Sequence, residues 1–273
     1  RNFNAFDARF QDVSYLLGPN ASGKSNLLDV FRFLRDISKP KGGGLQSAVD
    51  DRSGIVKVRC LHARNDTEVL IDVRLSDDGD EGEESWRYVL GFKPEGKGAQ
   101  RILVSREEVW EGEQRIINRP DDDDARDRAL LTQTRLEQIA ANARFRKLAE
   151  FFGNITYLHL VPQLLKFSEQ IGGNRLENDP FGQGFLDRIA RTSEKTRDAR
   201  LRKIGEALSL AVPHFRDLRF VRDEVGRPHL EAMYQHHRPK AGWQTEEQFS
   251  DGTLRLIAFH SARHGSYFDI ALQ

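Results

Sequence analysis

The sequence predicts an α/β fold whose core carries an antiparallel β lobe and an inserted helical lobe. Three observations point there. A short apolar run at 12–17 stops at Gly18, turns through Gly18-Pro19-Asn20-Ala21-Ser22-Gly23-Lys24-Ser25, and continues with apolar residues at helical spacing. From about Ile55 to Asn118 the apolar period changes to two. Two later stretches, 125–152 and 185–212, return to a helical period.

Each element follows from its residues. Asp12 to Leu17 reads as a buried strand, and Leu27, Val30, Phe31 and Leu34 fall on one face of a helix. Pro40-Lys41-Gly42-Gly43-Gly44 ends that helix. Val56, Val58 and Cys60, then Val69, Ile71 and Val73, alternate with their neighbours, and Trp86, Tyr88, Leu90 and Phe92 continue the pattern. With acidic, glycine-rich turns between them, these residues predict an antiparallel meander. Asp121 to Asp124 forms an exposed loop that caps a helix over 125–152, whose buried stripe includes Leu130, Leu136, Ile139 and Phe145. Ile155 to Val161 reads as a strand, 172–182 as a polar linker, 185–212 as a helix with a basic face, and Leu218 to Met233 as a hairpin turning at 224–228. No internal repeat is present.

Composition narrows the class. The 273 residues hold 42 Lys+Arg and 42 Asp+Glu, so the net charge is zero and nothing demands a polyanionic partner. No run of eighteen apolar residues predicts a membrane span. The start lacks a signal-peptide layout, and the single cysteine, Cys60, allows no intrachain disulfide, so a cytoplasmic location is expected.

The turn at 18–25 has the chemistry to hold a triphosphate. Gly18 and Gly23 let the backbone wrap closely around phosphates, and the helix that follows points its positive end at them. Lys24 supplies a mobile cation for the β- and γ-phosphates, and the Ser25 hydroxyl is placed to ligate Mg²⁺. The expected ligand is ATP with Mg²⁺. A plain glycine turn between strand and helix is the weaker alternative, because the full G-x-x-x-x-G-K-S pattern stands in its required context.

The longer string from Gly18 to Asp29, with Asn26-Leu27-Leu28-Asp29 after the Lys-Ser pair, resembles the ABC-type ATPases of the RecF/SMC class. Arg1-Asn2-Phe3-Asn4-Ala5-Phe6 is similar to that class's first strand, near the adenine and α-phosphate, so the resemblance adds Arg1, Asn2 and Asn26 to the nucleotide-binding set. Phe249-Ser250-Asp251-Gly252-Thr253-Leu254-Arg255 resembles the ABC signature in the Ser-(Asp/Glu)-Gly-Thr variant of bacterial defence and overcoming-lysogenization-defect (OLD) ATPases. Asn178-Asp179-Pro180-Phe181-Gly182, then Leu186, also resembles a glycine-containing segment of that group. The resemblance implies one P-loop NTPase (ABC-ATPase-like) domain over 1–273. Its parts would be the phosphate-loop core (1–54), the β lobe (55–120), the helical insertion (121–215) and the signature part (216–273). It further implies a head-to-tail dimer around ATP, with Ser250 and Gly252 facing the γ-phosphate held by the other subunit. DNA repair and maintenance or antiphage defence is the implied setting, with DNA and a nuclease or other effector subunit as implied partners. Taken alone, 249–255 reads rather as an ordinary capped helix start with Ser250 or Asp251 as N-cap; beside the phosphate loop the signature is the better reading.

One departure is clear. The class places an apolar strand ending in an acidic pair after the signature, and no such pair follows Arg255. Asp72 sits before the signature in the meander, and Asp269 is a weak match. No catalytic carboxylate is assigned. Either the chain continues beyond Gln273, or the protein is a nucleotide-gated assembly or switch module with little hydrolysis. The resemblance also makes Gln46 a candidate γ-phosphate and Mg²⁺ sensor, with Gln163 as its rival. Either could instead be a surface residue. His229, His236, His237 and Cys60 fit no zinc spacing. The basic face from Arg188 to Lys203 is interleaved with Asp187, Glu194 and Asp198, as in a solvated helix with i,i+4 ion pairs.

Overall fold

A computed structural model describes residues 5–11, 14–60, 67–76, 84–96, 101–167, 171, 179–235, 242–262 and 269–271. The chain divides into two compact units, Arg1–Ile155 and Thr156–Gln273. The division falls inside the stretch that the sequence marks as one helical insertion.

In the first unit, helix α1 (Lys24–Ser38) buries Leu27, Leu28, Phe33, Leu34 and Ile37. Helices α2 (Leu45–Asp50) and α3 (Ile55–Val58) follow. Strands β1 (Val69–Ser76), β2 (Glu84–Pro94), β3 (Ile102–Glu111) and β4 (Gln114–Arg119) form an antiparallel sheet in sequential order. Tyr88, Leu90 and Phe92 of β2 are buried. Phe92 stacks on Phe33 of α1 at 5.2 Å between ring centroids. Tyr88 meets Phe152 at 5.8 Å. Phe152 belongs to α5 (Arg146–Gly153), which follows the short α4 (Asp122–Arg126). These aromatic contacts seat α1 and α5 on the sheet through buried apolar area.

Between β4 and α5 the chain is organised by charge. Glu107, Arg119 and Asp124 are all buried. Arg119 Nε and Nη2 donate to the two Asp124 oxygens at 2.9 and 2.6 Å, and Nη1 donates to Glu107 Oε2 at 2.9 Å. Its remaining donors reach the carbonyls of Gln133 and Leu130, both at 2.9 Å. Glu107 also accepts the Tyr88 hydroxyl at 3.1 Å and the backbone N–H groups of Arg135 and Leu136. A buried charge is stable only when so surrounded.

Glu137 extends this network. Its two oxygens accept Thr134 N–H at 2.6 Å and Leu45 N–H at 2.9 Å, the latter at the start of α2. Gly44 lies against it with φ of +110°, and a Cβ there would stand 2.1 Å from Glu137 Oε2. Only glycine fits that approach.

The second unit is built on the antiparallel sheet β6 (Phe215–Arg222), β7 (Pro228–Tyr234) and β8 (Trp243–Thr245). Its helices are α6 (Pro162–Lys166), α7 (Phe185–Arg191), α8 (Glu194–Ala211) and α9 (Asp251–Ala262). Leu201, Ile204, Phe215, Leu230, Phe249 and Ile257 are central to its core. Strand β5 (Thr156–Leu158) pairs in parallel with β9 (Asp269–Ala271).

Four expectations are corrected. Residues 14–17 of the expected first strand pair with no strand, and Tyr15 and Leu17 are 83% and 93% exposed. An apolar run becomes a buried strand only when neighbours cover it, and among the described residues none does. Residues 55–58 form a helical turn rather than a strand, so Val56 is exposed; a window that short fits either period. The single helix expected over 125–152 is instead α4, two 3₁₀ turns (Arg128–Thr132 and Ala141–Phe145) and α5. Arg119 takes the Leu130 and Gln133 carbonyls, which a continuous helix would need for its i→i+4 bonds. The helix expected over 185–212 breaks at Thr192 and Ser193, both with extended ψ.

The charge network gives three expected outcomes. Arg119→Met should cost about 3–5 kcal/mol in urea unfolding, because Glu107 and Asp124 then stay buried without a cation. Arg119→Lys should recover little, having three donors in place of five. Burial, reinforced by the nearby Glu107, raises the Glu137 carboxyl from its ordinary 4.5 to about 7. The folded state therefore holds this proton more tightly than the unfolded chain. Its contribution is complete below about pH 4.5 and is lost as pH rises through 7, a span of about 3 kcal/mol. Glu137→Gln should flatten that part of the stability–pH curve.

Candidate functional site

The loop at 18–25 is held by its own backbone and one side chain. Ser22 N–H donates to Pro19 O at 3.3 Å. Ala21 (φ 65°) and Gly23 (φ 100°) are left-handed, with Ser22 between them. Such alternation turns successive N–H groups towards one concavity, the geometry of an anion nest. Gly23 is also the residue before α1, and it has no side chain to cap the helix. Gly23 itself therefore offers the first N–H groups of α1 no side-chain acceptor. No acidic residue sits in the first turn of α1, so none of its own carboxylates opposes an anion there.

Lys24 reaches back across the loop. Its Nζ donates to Gly18 O at 2.8 Å and Pro19 O at 2.9 Å. These neutral acceptors hold the ammonium beside the nest, and a phosphate oxygen would make a stronger, charge-assisted partner. Ser25 is exposed one position further on, and Asn26 is half-buried. The donor set fits a polyphosphate with a divalent cation: backbone N–H groups and an ammonium for the phosphates, a hydroxyl for the metal.

The helix that carries the loop is clamped from behind, and sequence reading missed the clamp. Arg52 Nε and Nη2 donate to the Asp29 carboxylate, both at 3.0 Å, and Nη2 also reaches Asp36 at 3.1 Å. Its Nη1 donates to Ala48 O at 2.8 Å, and its guanidinium lies 5.1 Å from the Phe33 ring centroid. Asp29 was visible as the end of the Asn-Leu-Leu-Asp string, but nothing in the sequence marks Arg52 as its partner.

The Ser250 element is a capped helix start in the second unit. Ser250 Oγ accepts Thr253 N–H at 3.1 Å and lies 2.8 Å from Thr253 Oγ1, while Ser250 O accepts Leu254 N–H at 3.1 Å. Lys166 Nζ pairs with Asp251 at 3.2 Å. Gly252 is exposed with ordinary φ, and the nearest atom to a Cβ there would be Ser250 Oγ at 3.9 Å. Among the described residues nothing around it requires a glycine.

The other candidates are placed differently. Gln46 is tied to backbone: its Nε2 donates to the carbonyls of Ile102 and Thr132, both at 2.8 Å, and its Oε1 accepts Ile102 N–H at 3.0 Å. Both ends of its amide are engaged by backbone, joining the start of β3 to the 3₁₀ turn, an arrangement of packing rather than one aimed at a metal. Gln163 is exposed on α6. Asp72 is a β1 residue paired with Arg87, as a hairpin strand implies. His229 Nδ1 lies 2.7 Å from Glu246 Oε1. Despite partial burial, Glu246 and Asp223 hold its imidazole above the ordinary value, as an ion-paired residue. Among the described residues no group of three His, Cys, Asp or Glu side chains forms a metal cluster. Arg1, Asn2, His236 and His237 lie outside the described residues, and of Asp269 only the backbone is described.

Among the described residues no helix is long and apolar enough to cross a membrane. No curated protein matches the chain. A family model described as "AAA domain, putative AbiEii toxin, Type IV TA system" matches residues 13–263, a span that contains both the phosphate loop and the Ser250 element. With that match over most of its length, and with the Lys24 loop geometry of a phosphate binder, the chain belongs to this AAA-domain family of P-loop ATPases.

Proposed function

We propose that the protein is an ABC-type ATPase head, related to the RecF/SMC/OLD group, that binds ATP with Mg²⁺ and closes in pairs. Gly18 to Ser25 holds the triphosphate, with Lys24 on the β- and γ-phosphates and Ser25 on the metal. Ser250 and Gly252 of a second copy meet the γ-phosphate from outside, and ATP joins the two. The observation that carries this reading is the Lys24 ammonium folded over an uncapped helix start, 2.8 and 2.9 Å from the Gly18 and Pro19 carbonyls. The exposed Gly252 supports the pairing step. Among the described residues only Ser250 Oγ comes within 4 Å of a Cβ built there, which leaves room for a group to approach from elsewhere.

The setting follows from the family's description. A toxin–antitoxin or abortive-infection system would use an ATP-gated pair to control a nuclease or other effector subunit, and DNA maintenance would use the same device on DNA. Both rest on family analogy.

Lys24→Ala should weaken ATP binding about 10–100-fold in calorimetry, the worth of a charge-assisted phosphate contact; unchanged affinity would remove the reading at its base. Ser250→Arg should leave ATP affinity of the single chain within about twofold while abolishing ATP-dependent dimers in sedimentation. If that variant still dimerises on ATP, the head-to-tail arrangement is wrong even though the nucleotide site stands.

A further inference from the structure

Strand β1 is the edge of the first unit's sheet, and among the described residues no strand pairs with its outer side. Its residues alternate strictly. Val69, Ile71, Val73 and Leu75 are half-buried, while Leu70, Asp72, Arg74 and Ser76 are exposed. The half-buried row continues the buried face of β2, because Ile71 is opposite Leu90 and Val73 opposite Tyr88. An open edge with an apolar row is a template for another strand. Natural edges are blunted by like charges, and this one carries charges of opposite sign two residues apart.

We infer that β1 is a self-complementary edge through which two copies of this chain pair antiparallel, joining their sheets about a two-fold axis at Val73. The charges select that register. Centred on Val73, Asp72 of each copy lies opposite Arg74 of the other, Ile71 lies opposite Leu75, and the two Val73 side chains meet. Centred on Asp72, the pairing would set aspartate against aspartate; centred on Arg74, arginine against arginine. A shift by one residue would put the apolar row of one copy against the charged row of the other. Of these registers, the one centred on Val73 sets opposite charges together in the exposed row and apolar residues together in the other.

The intramolecular partners reinforce this choice. Asp72 already receives Arg87 Nε at 3.0 Å and Nη2 at 2.6 Å, and a carboxylate has acceptor sites for a second arginine. Arg87 and neighbouring arginines hold the Asp72 carboxyl below its ordinary value, so it stays charged across the physiological range. The pairing is isologous, as closed two-fold dimers require. Two short strand edges bury less than the roughly 1,200 Å² of a stable interface, so the association is weak and concentration-dependent. It needs no nucleotide, which separates it from the ATP-joined pair.

The test is charge complementation in sedimentation velocity, without nucleotide and with chelator, across a wide range of concentrations. Wild type should show a reversible monomer–dimer equilibrium. Asp72→Arg and Arg74→Asp should each weaken it at least tenfold, since each sets like charges across both symmetric contacts. Mixed in equal amounts, the two variants should form a heterodimer at least as readily as wild type pairs with itself. A strictly monomeric wild type, single variants that pair as wild type does, or a folded mixture that stays monomeric would each overturn the proposal. Should Asp72→Arg fail to fold, cysteine placement decides: with Cys60→Ser, Val73→Cys should be joined by a short bismaleimide far more readily than Leu75→Cys. Equal or reversed yields would overturn it. Loss of ATP binding in Lys24→Ala should leave this equilibrium unchanged.

Discussion

Arg119 places all five guanidinium N–H groups inside the first unit, two on Asp124, one on Glu107 and two on the carbonyls of Leu130 and Gln133. No other side chain could make that set of bonds, because only a planar fork with five donors matches two carboxylates and two carbonyls at once. Its position at the end of β4 fixes where the strand stops and how the chain leaves it. Arginine bound to the 130 and 133 carbonyls favours tight 3₁₀ turns over a continuous helix, and Asp124 is held where it also caps its own short helix.

From this centre a line of directed contacts runs to the phosphate loop. Glu107 holds the N–H groups of Arg135 and Leu136, which positions the turn that ends in Glu137. Glu137 takes the first N–H of α2. Arg52, just past α2, takes Asp29 on the helix that begins at Lys24. Apolar packing between α1 and the sheet is favourable but tolerant of small rotations. Bidentate carboxylate–guanidinium contacts are not, so they fix the roll of α1 and with it the direction in which its first N–H groups point. Burying this many charges adds little net stability. Its return is orientation of the helix start.

Those residues explain what was and was not legible in the sequence. The loop and its helix were legible because every determinant lies within about twenty consecutive residues. The hairpin of β6 and β7 was legible for the same reason, as was β1 with its strict alternation. The Arg119 network was not, since Glu107, Asp124, Leu130, Gln133 and Arg135 come together only once the chain has folded. The same blindness produced the overlong helix at 125–152. Apolar spacing there is helical, yet periodicity cannot see a distant guanidinium taking the carbonyls. Gln46 failed for a related reason: its motif position says nothing about the Ile102 backbone that claims its amide. Residues 55–58 are too few for either period to win.

The two helix starts that the function would use differ in a way that orders events. At α1 the residue before the helix is Gly23, which has no side chain to offer the N–H groups there as an acceptor. At α9, Ser250 already accepts the Thr253 N–H. An anion arriving at the first site meets a helix start whose preceding glycine offers no competing acceptor, and an ammonium held by neutral carbonyls. At the second it competes with a hydroxyl in place and an aspartate beside it, itself engaged by Lys166. On the proposed reading the loop is then the stronger of the two phosphate sites. A nucleotide would settle on Lys24 first, and Ser250 would engage only once a second copy brings the two surfaces together, when each weak contact is made intramolecularly within the pair. A strong site and a weak one are what an ATP-gated association requires: two strong sites would each hold a nucleotide independently, and pairing would then gain nothing from ATP.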